Sequence, residues 1–579
     1  MQRLKNKIKV KKIVAQAVFS CVALSVSPWG FSQARAPIAI PAQTLPGGSP
    51  EQTLPQEAAP VKVVPKGTVG TPEAPRPPVL DEKIEIKSIQ LEGVKSLDFK
   101  TASGLLAPLA NKPIVVGDLV AACDSLTKLY QAHGYALSFC FIPQQDFSQG
   151  VARVVAVEGR ASKLTIVGDP GKLRGRVEAL ARPALAEAPL TKATFERMAA
   201  LLSAIPGLTA VATIDPPTQT NGESELKVEI KDKKRFDFNA GLDFNHPGFQ
   251  ALMSAVENGQ LGLGEQITLS AIAPPGQQEQ KYYAGKWVQP VGSDGMSLLF
   301  NASSYRAQPT NPSNLPSYLQ SVQSQDKVSG ELSYPFKLSQ TESLVGAAGA
   351  YVARESSALQ NTITGLEAGQ RESVRVATAR LTWAKSTDTT LNGAEFQIAK
   401  GVQALGAHKE GFSNFGADIA DLTDLSFWKL GLTASRTQQW ASGWGYQIAM
   451  AGQWSPNALP SAEQIAFGST RFGLGYEAGA TSGDSGLAGS AQVFHAFNLG
   501  SKWLKTASPY LAADMGRVWL KNGQAAPSKI ASLGIGARLT DGKHYNLDIS
   551  LAKPVGQAPG DDNGNRPLRV NALFSYNFQ

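Results

Sequence analysis

From Arg235 onward the chain is built from stretches in which apolar and polar positions alternate. Phe236, Phe238, Ala240, Leu242 and Phe244 share one face, while Asp237, Asn239, Gly241 and Asp243 share the other. The last residues repeat the pattern, with Leu568, Val570, Ala572, Phe574, Tyr576 and Phe578 set against Arg569, Asn571, Ser575 and Asn577. A period of two predicts strands with two unlike faces. A soluble sandwich and a membrane barrel both fit that alternation, and the spacing of aromatics separates them. In Trp444-Gly-Tyr-Gln-Ile-Ala-Met-Ala-Gly-Gln-Trp454 the two tryptophans lie on the apolar face. Ten residues at about 3.3 Å each, tilted by about 40°, span roughly 25 Å, the apolar height of an outer-membrane barrel with an aromatic at each interface. The region holds on the order of 16 such strands. Asp294-Gly295 and Asp541-Gly542 predict tight hairpins on one side, and the polar stretch Ala307 to Asp326 predicts a long loop on the other.

The pattern upstream is different. Residues 83–160 begin with the alternating stretch Ile84–Leu91, followed by a helical stretch from Ser96 to Ala110 that ends before Pro113. A second helix is predicted with Asp118 as its N-cap and Leu119, Cys123, Leu126 and Tyr130 at helical spacing. Tyr135–Ile142 and Val151–Val157 read as strands. Residues 161–233 repeat this β-α-α-β-β order, with strands at Lys163–Val167, Leu208–Ile214 and Glu225–Ile230 and helices at Leu173–Leu185 and Thr191–Ile205. The expected fold is therefore mainly β: a C-terminal transmembrane antiparallel barrel over residues 234–579, preceded by two small α/β modules.

The first 34 residues carry Arg3, Lys5, Lys7, Lys9, Lys11 and Lys12, then an apolar run from Ile13 to about Ser27, then small residues. That is the three-part pattern of a secretory signal, with cleavage after Ala34 or Ala36. A lipid anchor on Cys21 fits poorly, because Phe19 stands two residues before it. Residues 35–82 carry prolines at short intervals and predict an extended, solvated linker. Two cysteines remain, Cys123 and Cys140, and are read either as one disulfide of an exported chain or as two small buried apolar residues. No later run of about 18 apolar residues occurs, so a membrane would be crossed only by a closed barrel.

Composition narrows the chemistry. Of 579 residues only 18% are charged, 55 are Gly and 5 are His, with a net charge of +8. No basic patch with interleaved aromatics lies outside the N-terminus, which argues against nucleic acid as a partner. The histidines show no metal-ligand spacing, and no nucleotide or cofactor motif is present, so no metal or cofactor is expected. Gly483-Asp-Ser-Gly486 spells a serine-protease motif, but no His base and orienting acid accompany it. The chain is not read as an enzyme.

That motif closes a glycine-rich loop, expected over about 460–488, whose core is Arg471-Phe-Gly-Leu-Gly-Tyr476. Loops this long are usually functional or disordered. The loop resembles loop 6 of the TpsB-type two-partner secretion transporters, the haemolysin activator/secretion family. In that family the core reads Arg-Phe-Gly-Arg-Gly-Tyr and is followed by Gly-Asp-x-Gly. Pro509-Tyr-Leu-Ala-Ala-Asp-Met-Gly516 resembles the family's Phe-x-Asp-x-Gly strand, with Ala512 in the Phe position. Leu129–Tyr135, Ile142–Asp146, Gly150-Val and Val157-Glu-Gly-Arg160 are similar to the signature of its first POTRA domain, and Asp169-Pro to Ile230 to the second, POTRA 2 over residues 161–233.

The resemblance implies an outer-membrane transporter that receives an unfolded exoprotein in the periplasm through its POTRA domains and passes it to the cell surface without ATP. The alternative is a factor that inserts other barrels; a passive porin has no need of docking modules. Implied partners are the exoprotein, outer-membrane lipids and, during biogenesis, the barrel assembly machinery. The implied loop motif comprises Arg471, Phe472, Gly473, Gly475, Tyr476, Gly483, Asp484 and Gly486, and the implied inner-wall motif Asp514 and Gly516. Where the family has the Arg that pairs with this Asp, the chain has Leu474, so either Arg471 reaches Asp514 instead or the ion pair is absent. The family's helical plug is not expected from so proline-rich a linker.

Overall fold

The computed structural model describes residues 38–39, 67–70, 80–244, 250–273, 280–308, 316, 318–469, 472–521, 528–558 and 564–578. The expected signal segment and most of the expected linker lie outside them.

The first module combines a paired β3 (Lys83–Ile86) and β5 (Lys112–Val115) with a sheet of β4 (Ser88–Glu92), β7 (Val151–Val157) and β6 (Phe139–Phe141), in the order β4-β7-β6. The expected helix at Ser96–Ala110 is shorter: α1 (Phe99–Gly104) starts where the Asp98 carboxylate accepts the Thr101 N–H, and a 3₁₀ turn over Ala107–Leu109 follows. The second helix, α2 (Val116–Ala132), begins earlier than expected. Its N-cap is Val115, and Asp118 sits at the third helical position, where its carboxylate accepts the Val115 N–H at 3.2 Å. A carboxylate in the first turn still complements the helix dipole. Leu119, Cys123, Leu126 and Tyr130 face the core, as their spacing predicts.

Glu158 ties this module together. It accepts the Lys95 and Ser96 N–H groups at 2.8 and 2.7 Å and the Tyr130 hydroxyl at 3.0 Å. Burial, with that carboxylate beside it, pushes the Tyr130 hydroxyl well above its usual range. Cys123 and Cys140 form a disulfide with Cα atoms 5.3 Å apart, joining α2 to β6 across 17 residues. Closing a loop of this length removes unfolded-state freedom worth roughly 3 kcal/mol. Cys123→Ser is accordingly expected to lower the unfolding midpoint of this module and open it to protease; unchanged protease resistance would contradict that role.

The second module follows the predicted β-α-α-β-β order: β8 (Arg160–Val167), α3 (Arg174–Ala186), α4 (Lys192–Ser203), β9 (Leu208–Ile214) and β10 (Glu223–Lys233). Its sheet has a fourth strand that the proline count hid. β2 (Gly67–Val69), from the segment expected to be a solvated linker, pairs with the edge strand β9, giving the order β2-β9-β10-β8. A second piece of that segment, β1 (Ile38–Ala39), pairs in parallel with β21 (Ile419–Ala420) at the barrel. The expectation of an unpaired, solvated linker over residues 35–82 is thus corrected at both places.

Sixteen strands of the described residues close the barrel. They are β11 (Phe236–Asp243), β12 (Gln250–Asn258), β13 (Gln266–Ala273), β14 (Gln280–Val291), β15 (Met296–Ala307), β16 (Leu319–Leu338), β17 (Glu342–Asn361), β18 (Glu367–Ser386), β19 (Thr390–Gly401), β22 (Trp428–Gln439), β23 (Trp444–Trp454), β26 (Ser485–His495), β28 (Thr506–Trp519), β29 (Ser528–Thr540), β30 (Tyr545–Pro554) and β31 (Arg569–Phe578). The ring closes where β11 pairs with β31, Phe238 opposite Phe578. β20 (His408–Ser413) continues the wall against β18, and β27 (Phe497–Asn498) does so against β28. The expected loop at Ala307–Asp326 is shorter than predicted, because Leu319–Asp326 belongs to β16. β16, β17 and β18 are each 20 residues long, more than the apolar band requires, and their polar ends extend the wall beyond it.

The second module docks on the hairpin turns at its end of the barrel. Arg197 of α4 binds Asp294 at 2.7 Å and lies 5.5 Å from the Tyr334 ring; Lys172 donates to the Gln260 carbonyl at 2.9 Å. These contacts identify Asp294-Gly295 as a turn on the module side.

Candidate functional site

The strand β28 shows how the inner wall is made. Leu511 and Met515 are 63% and 66% exposed, whereas Ala512, Asp514 and Gly516 are buried. Large apolar residues left this open make sense against lipid, so the alternate positions face the lumen. Asp514 is an inward carboxylate, and loop 6 lies against it.

Loop 6 connects β23 to β26 over residues 455–484. It starts earlier than expected and stops earlier: Ser485–Ala488 already belong to β26, and Gly486 pairs with Val518 on the wall. The loop folds back as a short hairpin of β24 (Ile465–Phe467) and β25 (Thr481–Gly483), with Phe467 fully buried. Beyond it the tip is a tight turn in which Ser469 N–H donates to the Tyr476 carbonyl and Tyr476 N–H to the Gly473 carbonyl. Gly468 holds φ +141°, and a Cβ there would fall 1.9 Å from the Glu477 carbonyl oxygen. Only glycine allows that approach.

The tip is pinned to the wall through its backbone. Leu474 N–H donates to Asp514 Oδ2 at 3.0 Å, and the Ser532 hydroxyl donates to Asp514 Oδ1 at 2.6 Å. Gly475 N–H donates to that same hydroxyl at 3.1 Å. Asn571 Nδ2 donates to the Leu474 carbonyl at 2.8 Å, and the Tyr476 hydroxyl to the Gln557 carbonyl at 2.7 Å. A Cβ on Gly475 would sit 2.7 Å from Pro554 N, so the backbone approaches β30 as closely as it can. Arg471 lies outside the described residues, and its expected pairing with Asp514 with it.

The two positions at which the loop and strand depart from the motifs they resemble, Leu474 and Ala512, meet in space. The Leu474 side chain packs with Phe494, Tyr510, Ala512 and Ala552 in one buried cluster. A larger side chain at 512 would crowd the cluster that Leu474 joins. Leu474 and Ala512 thus share one apolar cluster, while the Leu474 N–H serves Asp514. Below the tip, toward the modules, a cavity of about 550 Å³ is lined by Phe472, Leu474 and Asn571 together with Arg538 and Asp548, which are ion-paired at 3.1 Å.

The base of the loop carries contacts that the motifs did not announce. Asp484 is 2% exposed and accepts the Leu459 and Lys521 N–H groups at 2.8 and 2.7 Å, stapling the start of the loop to the end of β28. Glu463 accepts from Lys429 Nζ at 2.5 Å and from the Tyr351 hydroxyl at 2.6 Å, and Gln453 donates to its carbonyl at 3.0 Å. Lys429 is on β22, where Trp428 and Leu432 face outward, so the parity of that strand was the one signal for an inward cation. Ser485, the nucleophile position of the protease look-alike, spends its hydroxyl on Ser455. No cluster of metal-ligating residues occurs among the described residues.

Comparison with known proteins bears on both the barrel and the first module. A family model for haemolysin secretion/activation protein ShlB/FhaC/HecB matches residues 222–539, and one for the ShlB-type POTRA domain matches residues 84–159. The heme/hemopexin transporter protein HuxB of Haemophilus influenzae is 21% identical over 496 residues, covering 82% of this chain and 84% of its own. The structure of CdiB from Escherichia coli matches with a TM-score of 0.66 at 17% identity, over 93% of this chain and 95% of that one. CdiB from Acinetobacter baumannii matches with a TM-score of 0.59 at 14% identity, over 91% and 95%. At these identities the structural likeness speaks for the fold.

Proposed function

The chain belongs to the haemolysin secretion/activation family ShlB/FhaC/HecB, and on that premise we propose that loop 6 is the lid of its secretion pore and that the two modules select what passes. The chain is an outer-membrane transporter of the two-partner secretion type, with its POTRA region in the periplasm, and the family match favours secretion over barrel assembly. The partner is a secreted exoprotein. Its identity as an unfolded chain taken up by strand addition is the finer part of the reading: edge strands of small α/β modules offer unpaired backbone groups to a passing strand.

One observation carries the lid reading. A loop of 30 residues turns back into a closed barrel and is held there by backbone hydrogen bonds to the inward Asp514, directly above a lumen cavity. Backbone bonds of this kind hold a loop firmly yet can be exchanged for another extended chain. Phe472, Gly473, Gly475 and Tyr476 form the tip, Gly483 and Asp484 the base, Gly486 its junction with β26, and Asp514 and Gly516 the seat. Lipid meets the outward apolar band, and the closing strand β31 presents Phe578 for barrel assembly. No catalytic step, cofactor or nucleic acid enters this reading.

The test is to seek an adjacent reading frame that encodes a large exoprotein, express it with and without this chain, and assay the culture medium. Release is expected only when this chain is present. Release that is independent of the chain rejects the reading.

A further inference from the structure

The second module meets its own linker in the way a secretion module would meet a passing chain. Without residues 67–70, β9 would be the edge of the sheet. β2 covers that edge in parallel, with Gly67 opposite Ala212, Thr68 opposite Thr213 and Val69 opposite Ile214, and Gly70 N–H donates to the Ile214 carbonyl at 2.9 Å. The strand also touches α4, so it lies in the slot between that helix and β9. Val69 packs against the module's own core, which includes Phe195, Met198 and Leu202 of α4. The next position is closed to any side chain: a Cβ on Gly70 would meet Pro216 Cδ at 2.6 Å. The slot therefore reads a short pattern, a branched apolar residue followed by glycine, on an extended backbone.

Three paired residues make a weak ladder. The cost of ordering each residue is comparable to what its hydrogen bond returns, and parallel pairing is the less favourable kind. The module core continues without β2, since α3, α4 and three strands enclose it. Such a strand is a removable occupant of a permanent slot.

We propose that the slot between β9 and α4 is a strand-acceptor site for an extended segment of the exoprotein carrying an apolar β-branched residue followed by glycine, and that residues 67–70 fill it as a displaceable self-ligand in the resting chain. This rests on the secretion reading above. The exoprotein must evict β2 to bind, so segments without the pattern are rejected by competition with the chain itself.

Two experiments on the full-length chain test this, the first in lipid nanodiscs and the second in cells that also express the exoprotein. The first uses a fluorescent peptide with the sequence of residues 64–73. The Val69→Asp chain, whose own strand no longer fits the core, is expected to bind it at least tenfold more tightly than the native chain. A peptide with leucine in place of the Gly70 equivalent is expected to bind neither. Equal peptide binding by the native and Val69→Asp chains overturns the proposal. The second joins Thr68→Cys to Thr213→Cys, which are opposite each other in the ladder. The cross-linked chain is expected to release at least tenfold less exoprotein, while either single cysteine releases as the native chain does. Native release from the cross-linked chain overturns the displacement step. Failure of the native chain to release anything would instead reject the secretion reading, while the peptide assay still reports on the slot.

Discussion

Glu463→Ala is expected to free the base of loop 6 from the barrel wall and to stop secretion. Glu463 is 4% exposed, and the Lys429 side chain it faces is 17% exposed. Removing the carboxylate leaves an ammonium group buried without its partner, a change that costs about 3–5 kcal/mol. It also deprives the Tyr351 hydroxyl of its acceptor. The companion variant sharpens the expectation. Replacing both charges, as in Glu463→Gln with Lys429→Met, is expected to restore much of the lost protection, because a buried pair replaced by neutral groups is far less costly than a pair broken on one side. The measurements are protease cleavage between residues 455 and 484 and single-channel conductance in planar bilayers. Protection and conductance like the native chain's in Glu463→Ala would show that the ion pair does not anchor the loop.

Neither partner of that pair stood out in the sequence, and the reason is physical. Glu463 sits in Pro460-Ser-Ala-Glu463, which reads as an ordinary solvated bend, and burial of a loop residue depends on where the loop folds back. Asp514 was legible because alternation along β28 fixes its face from the residues on either side. The strand Trp444–Trp454 was legible for the same reason, with the tryptophans marking its two ends. Helix ends were less so: Asp118 has the chemistry of an N-cap, yet pairing of Lys112–Val115 with β3 starts the helix sooner. β2 was hidden by proline density, although residues 66–71 form a proline-free window between Pro65 and Pro72 long enough for one short strand. The Leu474 departure looked like a missing anchor. Its meaning depended on Ala512, which is distant in sequence but lies in the same buried cluster.

Asp514→Ala is expected to release the tip of the loop where Glu463→Ala releases its base. Two donors lose their acceptor, the Leu474 N–H and the Ser532 hydroxyl, both in buried surroundings. Each orphaned donor costs about 1–3 kcal/mol. The Ser532 hydroxyl also accepts from Gly475 N–H, so its loss of orientation spreads to the next residue of the tip. Secretion should fall to background and the turn at Gly473–Tyr476 should become accessible to protease. Asp514→Asn distinguishes the two ways in which the seat could work. An asparagine keeps an oxygen for the Leu474 N–H, and its amide can donate to Ser532, whose hydroxyl then turns. If the seat is a backbone contact, as the 3.0 Å bond from Leu474 indicates, Asp514→Asn should retain at least half of native secretion. If the negative charge is what holds the tip, through a cation such as Arg471, Asp514→Asn should fail as completely as Asp514→Ala. Comparable loss in both variants would overturn the backbone seat, and the cluster that Leu474 shares with Ala512 would then be packing that accompanies an ion pair rather than replacing it.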